Sequence, residues 1–158
     1  MPTNFEKALD ALPFERFGQR GASSDALRDI ERDLDLALTP ELRALFERVG
    51  PAYLGSVLLY ESELLYHRVK IYQQPEYERS GLRDRGFVFF GNNGGSVDYF
   101  VDVRGALHQG EGAVFAVDAA AAEERRFELI APDLLSFLKR AADGKEPRGR
   151  RLAELRSS

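Results

Sequence analysis

The sequence predicts an α+β fold, an antiparallel meander sheet with N-terminal helices before it and a C-terminal helix packed around it. Three observations carry that expectation. Apolar residues recur at helical spacing through the first fifty positions. Apolar runs and period-two alternation dominate between Phe87 and Ile130. A last helical pattern opens after Pro132-Asp133 and stops at Gly144.

Phe5, Leu9 and Leu12 stand at near-helical spacing ahead of Pro13, which predicts a short first helix. Ser24 has the chemistry of an N-cap, with Asp25 favourable in the first turn. Leu27, Ile30 and Leu34 follow on one helical face. Thr39-Pro40-Glu41 starts a further helix: the hydroxyl caps, proline takes the first helical position, and an acid follows. Leu42, Leu45, Phe46 and Val49 form its apolar stripe, and Gly50-Pro51 ends it. Two amphipathic helices joined so closely are expected to pack as a hairpin.

Ser56 to Tyr60 predicts a short strand, and Ser62 opens a short helix with Leu64, Leu65, Arg68, Val69 and Tyr72 on one side. Pro75 to Arg85 is polar and reads as a loop. Phe87-Val88-Phe89-Phe90 is a continuous apolar run, as in a strand covered on both faces. Gly91-Asn92-Asn93-Gly94-Gly95 is a turn rich in residues that tolerate positive φ. Val97, Tyr99, Val101 and Val103 alternate with Asp98, Phe100 and Asp102, the pattern of a half-buried strand. Ala113 to Val117 and Arg126 to Ile130 supply two more strands. The final helix carries Leu134, Leu135, Phe137, Leu138 and Ala141 on its apolar side.

This organisation makes residues 1–144 a single domain, followed by a basic, mobile tail over 145–158. The chain has 158 residues with eleven Phe and six Tyr, enough to build a core without a disulfide or metal staple. It has no cysteine, which removes thiolate zinc sites and a cysteine nucleophile and suits a reducing cytoplasm. No apolar run approaches a membrane span, and the polar N-terminus does not read as a secretory signal. The net charge is −4. The tail from Lys145 holds five basic residues against two acidic ones, so the body before it is more acidic than the total. Such a body repels nucleic acid and favours a cationic partner, although solubility alone also accounts for it.

Catalytic chemistry finds little support. His67 and His108, the only histidines, lie in different segments with no second ligand at metal spacing. No G-x-S-x-G elbow is present. The glycine-rich turn lacks the Lys-Ser/Thr ending of a phosphate loop, and a strand rather than a helix follows it. Asp98 and Asp102 share one strand face but are separated by about 13 Å, too far for a carboxylate pair. With Phe100 between them they suggest an acidic surface with an aromatic centre, or an ordinary solvated face. Tyr53, Tyr60, Tyr66, Tyr72 and Tyr77 interleave with Glu61, Glu63, Glu76 and Glu78 as well as Arg68, Lys70 and Arg79, which fits a protein-binding surface better than a base-stacking one. No enzyme, cofactor or metal is expected.

The order of motifs resembles the SUKH superfamily, whose members include a yeast regulator of cell-wall assembly and many bacterial immunity proteins. The resemblance lies in Asp29-Ile30-Glu31 through Leu34, in Leu38-Thr39-Pro40-Glu41-Leu42 with Leu45-Phe46, and in Val49-Gly50 at the helix end. Gly86 through Gly95 followed by Asp98-Tyr99-Phe100-Val101-Asp102 looks like its second hallmark, and Leu134 to Leu138 its last helix. It covers residues 26–142. Members often carry acids in the glycine turn, where this chain has Asn92 and Asn93. The resemblance implies a non-enzymatic protein-binding module, an immunity protein that neutralises a cognate polymorphic toxin, with a regulatory scaffold as the alternative. The expected partner is then a basic toxin domain such as a nuclease, met by Glu61, Glu63, Asn92, Asn93, Asp98, Tyr99 and Asp102. Neither direct nucleic acid binding nor a membrane is expected. The alternation points Tyr99 toward the core, which sets it apart from the other six.

Overall fold

A computed structural model describes residues 3–16, 21–60, 69–105, 112–118 and 127–144, and the backbone of 150–151. Helix α1 (Asn4–Asp10) begins in a capping box: the Glu6 amide donates to Thr3 Oγ1 at 3.1 Å, and the Thr3 amide donates to the Glu6 carboxylate at 3.2 Å. Helix α2 (Ser24–Leu34) is capped by Ser23 rather than Ser24. Ser23 has extended backbone and its Oγ accepts from the Ala26 amide at 3.1 Å, whereas Ser24 is already helical. Helix α3 (Pro40–Arg48) starts as expected, with Thr39 accepting from the Leu42 amide. Arg48 of α3 reaches Asp10 at 2.9 Å and Glu6 at 3.7 Å, which ties α1 to α3.

Among the described residues the sheet has eight strands in strict sequence order, every neighbour antiparallel. They are β1 (Glu15–Arg16), β2 (Ala52–Leu54), β3 (Val57–Leu59), β4 (Phe87–Asn92), β5 (Val97–Asp102), β6 (Ala113–Asp118), β7 (Phe127–Ala131) and β8 (Arg150–Arg151). The expected strand at Ser56–Tyr60 is the second arm of a hairpin. Its first arm, β2, is only three residues long, and so short a stretch shows no periodicity. The tail contributes strand β8 at Arg150–Arg151, which pairs with β7.

Other elements pack on both faces of the sheet. On one face Phe87, Phe89, Phe100, Phe115 and Phe127 pack ring against ring, with centroids 5.6–6.4 Å apart. Tyr72 and Tyr77 lie over them, at 6.3 and 5.7 Å from Phe100. Tyr72 comes from a 3-10 turn, η1 (Lys70–Gln73), and Tyr77 from helix α4 (Pro75–Ser80). Pro75–Arg85 is therefore not a loop throughout. Proline opens α4, Gly81 closes it in the left-handed region, and the element shows the sheet one large apolar side chain. The helix expected from Ser62 falls mostly outside the described residues. Two arginines hold this cover onto α2: Arg83 donates to the Asp33 carbonyl at 2.7 Å, and Arg104 donates to the carbonyls of Asp35 and Asp84 at 2.6 Å. The carbonyls of Asp33 and Asp35 belong to the C-terminal end of α2, where no intrahelical amide can reach them.

On the opposite face Phe90 and Tyr99 meet Phe137 of helix α5 (Leu134–Ala142) at 5.4 and 4.9 Å. Asp133 caps α5 through the Ser136 amide. The sheet changes its pairing step between Phe89 and Gly91, a bulge that inserts Phe90 and sets it beside Gly91 on the Tyr99 face. A Cβ on Gly91 would stand 2.6 Å from the Leu58 carbonyl oxygen, so glycine is required there by the closeness of β3.

Candidate functional site

Strand β5 was expected to be half buried, with Asp98, Phe100 and Asp102 facing solvent. The structure corrects this. Phe100 and Asp102 are fully buried, and Tyr72 of η1 and Tyr77 of α4 lie over Phe100. Tyr99 is buried against Phe137 on the other face, as its alternation indicated. The residues placed at a partner surface therefore divide. Tyr99 and Asp102 lie inside and offer no docking contact. Glu61 and Glu63 lie outside the described residues, as do both histidines. Asn92, Asn93 and Asp98 are half-buried around the β4–β5 hairpin.

The hairpin is built by its asparagines. Asn93 Oδ1 accepts from the Gly95 amide at 2.9 Å and from the Val97 amide at 3.3 Å, and Asn92 Oδ1 accepts from the Gly94 amide at 2.8 Å. Within the turn only Gly94 adopts positive φ. These local bonds replace the charge that a carboxylate would bring at the same two positions. Asn92 also donates through Nδ2 to the Tyr60 hydroxyl at 2.7 Å, and the Tyr60 ring stacks on Phe89 at 5.4 Å.

Asp98 stands opposite Asn92 and receives hydrogen bonds from its side chain and from the Tyr77 hydroxyl. Burial raises its carboxyl to about 6, the two hydrogen bonds oppose that rise, and Asp118 at the end of β6 adds to it. The site thus holds one oriented carboxyl group, one amide and two tyrosine hydroxyls. Among the described residues no three His, Asp or Glu side chains are grouped to hold a metal ion.

The cross-strand register shows what the alternation along β5 did not. Glu15, Tyr53, Leu58, Asn92, Asp98, Val117 and Phe127 are successive partners across seven strands, so they form one row on one face. Val117 and Phe127 are fully buried. Asp98, Asn92 and Leu58 are half-buried, and Glu15 is exposed. Tyr53, at 45% exposure, is the one exposed large hydrophobic side chain among the described residues. Of the five tyrosines read as a surface cluster, Tyr72 and Tyr77 belong to the core and Tyr66 lies outside the described residues.

A family model for the SMI1 / KNR4 family (SUKH-1) matches residues 21–140. The chain belongs to the SMI1 / KNR4 family. No curated protein matches it significantly. The family match takes in α2, α3, the sheet from β2 to β7 and most of α5, and with them the Asn92–Asp98 hairpin. Helix α1 and strands β1 and β8, and with β1 Glu15, lie outside the matched residues.

Proposed function

We propose that this chain is a non-enzymatic protein-binding module of the cytoplasm, an immunity protein that neutralises a cognate toxin by direct complex formation. Membership of the SMI1 / KNR4 family over residues 21–140 carries the reading. The acidic body supports a cationic partner, since opposite net charge speeds encounter and disfavours wrong partners. A nuclease domain is such a partner, because its phosphate-binding cleft is basic and carboxylates can occupy it in place of phosphate. The described residues contain no helix long and apolar enough to cross a membrane.

Co-expression with the product of the neighbouring open reading frame tests the proposal. The expected result is that growth inhibited by the neighbour is rescued and that the two chains co-purify. A harmless neighbour that does not co-purify would leave the regulatory scaffold as the better account.

A further inference from the structure

Among the described residues, the part of this sheet face from β1 to β5 is half-buried to exposed and has the composition of a contact surface. The row Glu15, Tyr53, Leu58, Asn92, Asp98 crosses β1 to β5, and Tyr60 stands beside it on Phe89. Four strand spacings separate Glu15 from Asp98, about 19 Å. The rest of the row, Val117 and Phe127, is buried, so the open part ends at Asp98. No lysine or arginine stands on this row, and its charged members are both acids. Asp98 is held by Tyr77 and Asn92, so its carboxyl group is already oriented before any partner arrives.

We propose that this strip is the docking surface for a cationic protein segment, with Tyr53, Leu58 and Tyr60 giving apolar contact and Glu15 and Asp98 receiving lysine or arginine side chains. The proposal rests on the protein-binding reading above and names its surface. Tyrosine is well suited to the role, because it offers large area for little lost rotamer freedom. A guanidinium meeting a carboxylate that is already hydrogen-bonded gains charge-assisted bonds with little reorganisation. Asp98 must be ionised to receive it. Among the described residues the groups acting on that carboxyl are Tyr77 of α4, Asn92 of β4 and Asp118 of β6. With the carboxyl raised to about 6, affinity is expected to grow as pH rises from 5 to 7.

Two arms test this on the full chain. In the first, hexa-arginine and hexa-glutamate peptides are titrated separately and followed by NMR at the Asn92 side-chain amide and the Tyr53 and Tyr60 rings. Hexa-arginine should shift these signals at pH 7, more weakly at pH 5, and hexa-glutamate should not. Asp98→Asn, which keeps an acceptor for Tyr77, should weaken the response about tenfold. Asp25→Asn on α2 should leave it unchanged. Shifts confined to other acidic surfaces, or an equal response to both peptides, would overturn the proposal. In the second arm, affinity for the neighbouring gene product is compared between wild type, Asp98→Asn and Tyr53→Ala, with a loss of tenfold or more expected for each. Tight binding unaffected by either substitution overturns this surface and leaves the immunity reading standing. If the neighbour fails to bind the wild type, the immunity reading falls and the peptide arm decides the surface. A dimer of this chain that Tyr53→Ala converts to monomer would assign the strip to self-association and also overturn the proposal.

Discussion

Asp98 and Asp102 stand four residues apart on the same strand and the same face, yet they occupy different environments. Asp102 is fully buried at the end of β5 that pairs with Phe87 and Ala113. Asp98 lies at the other end, half exposed, opposite an asparagine and under a tyrosine hydroxyl. Between them Phe100 packs against Tyr72, Tyr77, Phe87 and Phe89. The cover formed by residues 69–86 makes this difference. Where it lies over the sheet, alternation along a strand produces core on both sides. Where it ends, the same alternation produces surface.

The comparison can be broken most severely in its covered half. Phe100→Ala should destabilise the fold by about 3–5 kcal/mol, since it opens a cavity among four rings; urea unfolding at pH 7 measures it. The open half should respond with the opposite sign. Asp98 has its carboxyl raised from 3.8 to about 6, so the folded state binds that proton more tightly than the unfolded chain. Wild-type stability should therefore fall as pH rises from about 4 to about 6 and stay level above it. Asp98→Asn removes this slope. The variant should match wild type near pH 4 and be up to about 2 kcal/mol more stable at pH 7, in unfolding series across that range.

Tyr77→Phe sharpens the boundary between the halves. The ring stays in the core, and only the hydroxyl that supports the Asp98 carboxylate is lost. A cost of about 1 kcal/mol and a further rise of the Asp98 carboxyl are expected, the latter read from carboxyl carbon shifts against pH. Tyr53→Ala at the exposed edge should change stability by no more than about 0.5 kcal/mol, as thermal melts would show. An effect of several kcal/mol there would mean that the strip is structural rather than available.

Much of the architecture was legible. Thr39-Pro40 and Asp133 start their helices where capping chemistry places them, and Phe87–Phe90 forms a strand buried on both faces. The elements that escaped are short. Strand β2 and helix α4 each span fewer than two periods of their own pattern, so no repeat is available to detect. The site was legible only in part. Asn92 was singled out within the glycine turn and Asp98 within the alternation of β5, and the structure sets the two opposite each other. Tyr53 was read into a tyrosine surface, but its alignment with Leu58, Asn92 and Asp98 was not, because nothing in the local sequence says which strand a residue opposes. Tyr99 and Asp102 were placed at a partner surface although they are buried, and Asp102 shows why: an acid in an alternating strand ordinarily marks the solvent side.

Local rules act over a few residues, and the sequence by itself determined what depends on them: the helix starts, the strand periods, the hairpin at Asn92 to Gly95, and the charge of the body. Tertiary structure alone decided which half of the sheet face is covered. That outcome depends on Arg83 and Arg104 fastening residues 69–86 to the end of α2, contacts 50 and 69 positions apart in the chain. It also depends on a register that aligns Glu15 with Asp98 across four strand spacings. Contacts of that reach leave no period in the sequence, because their energy is settled only when distant segments meet.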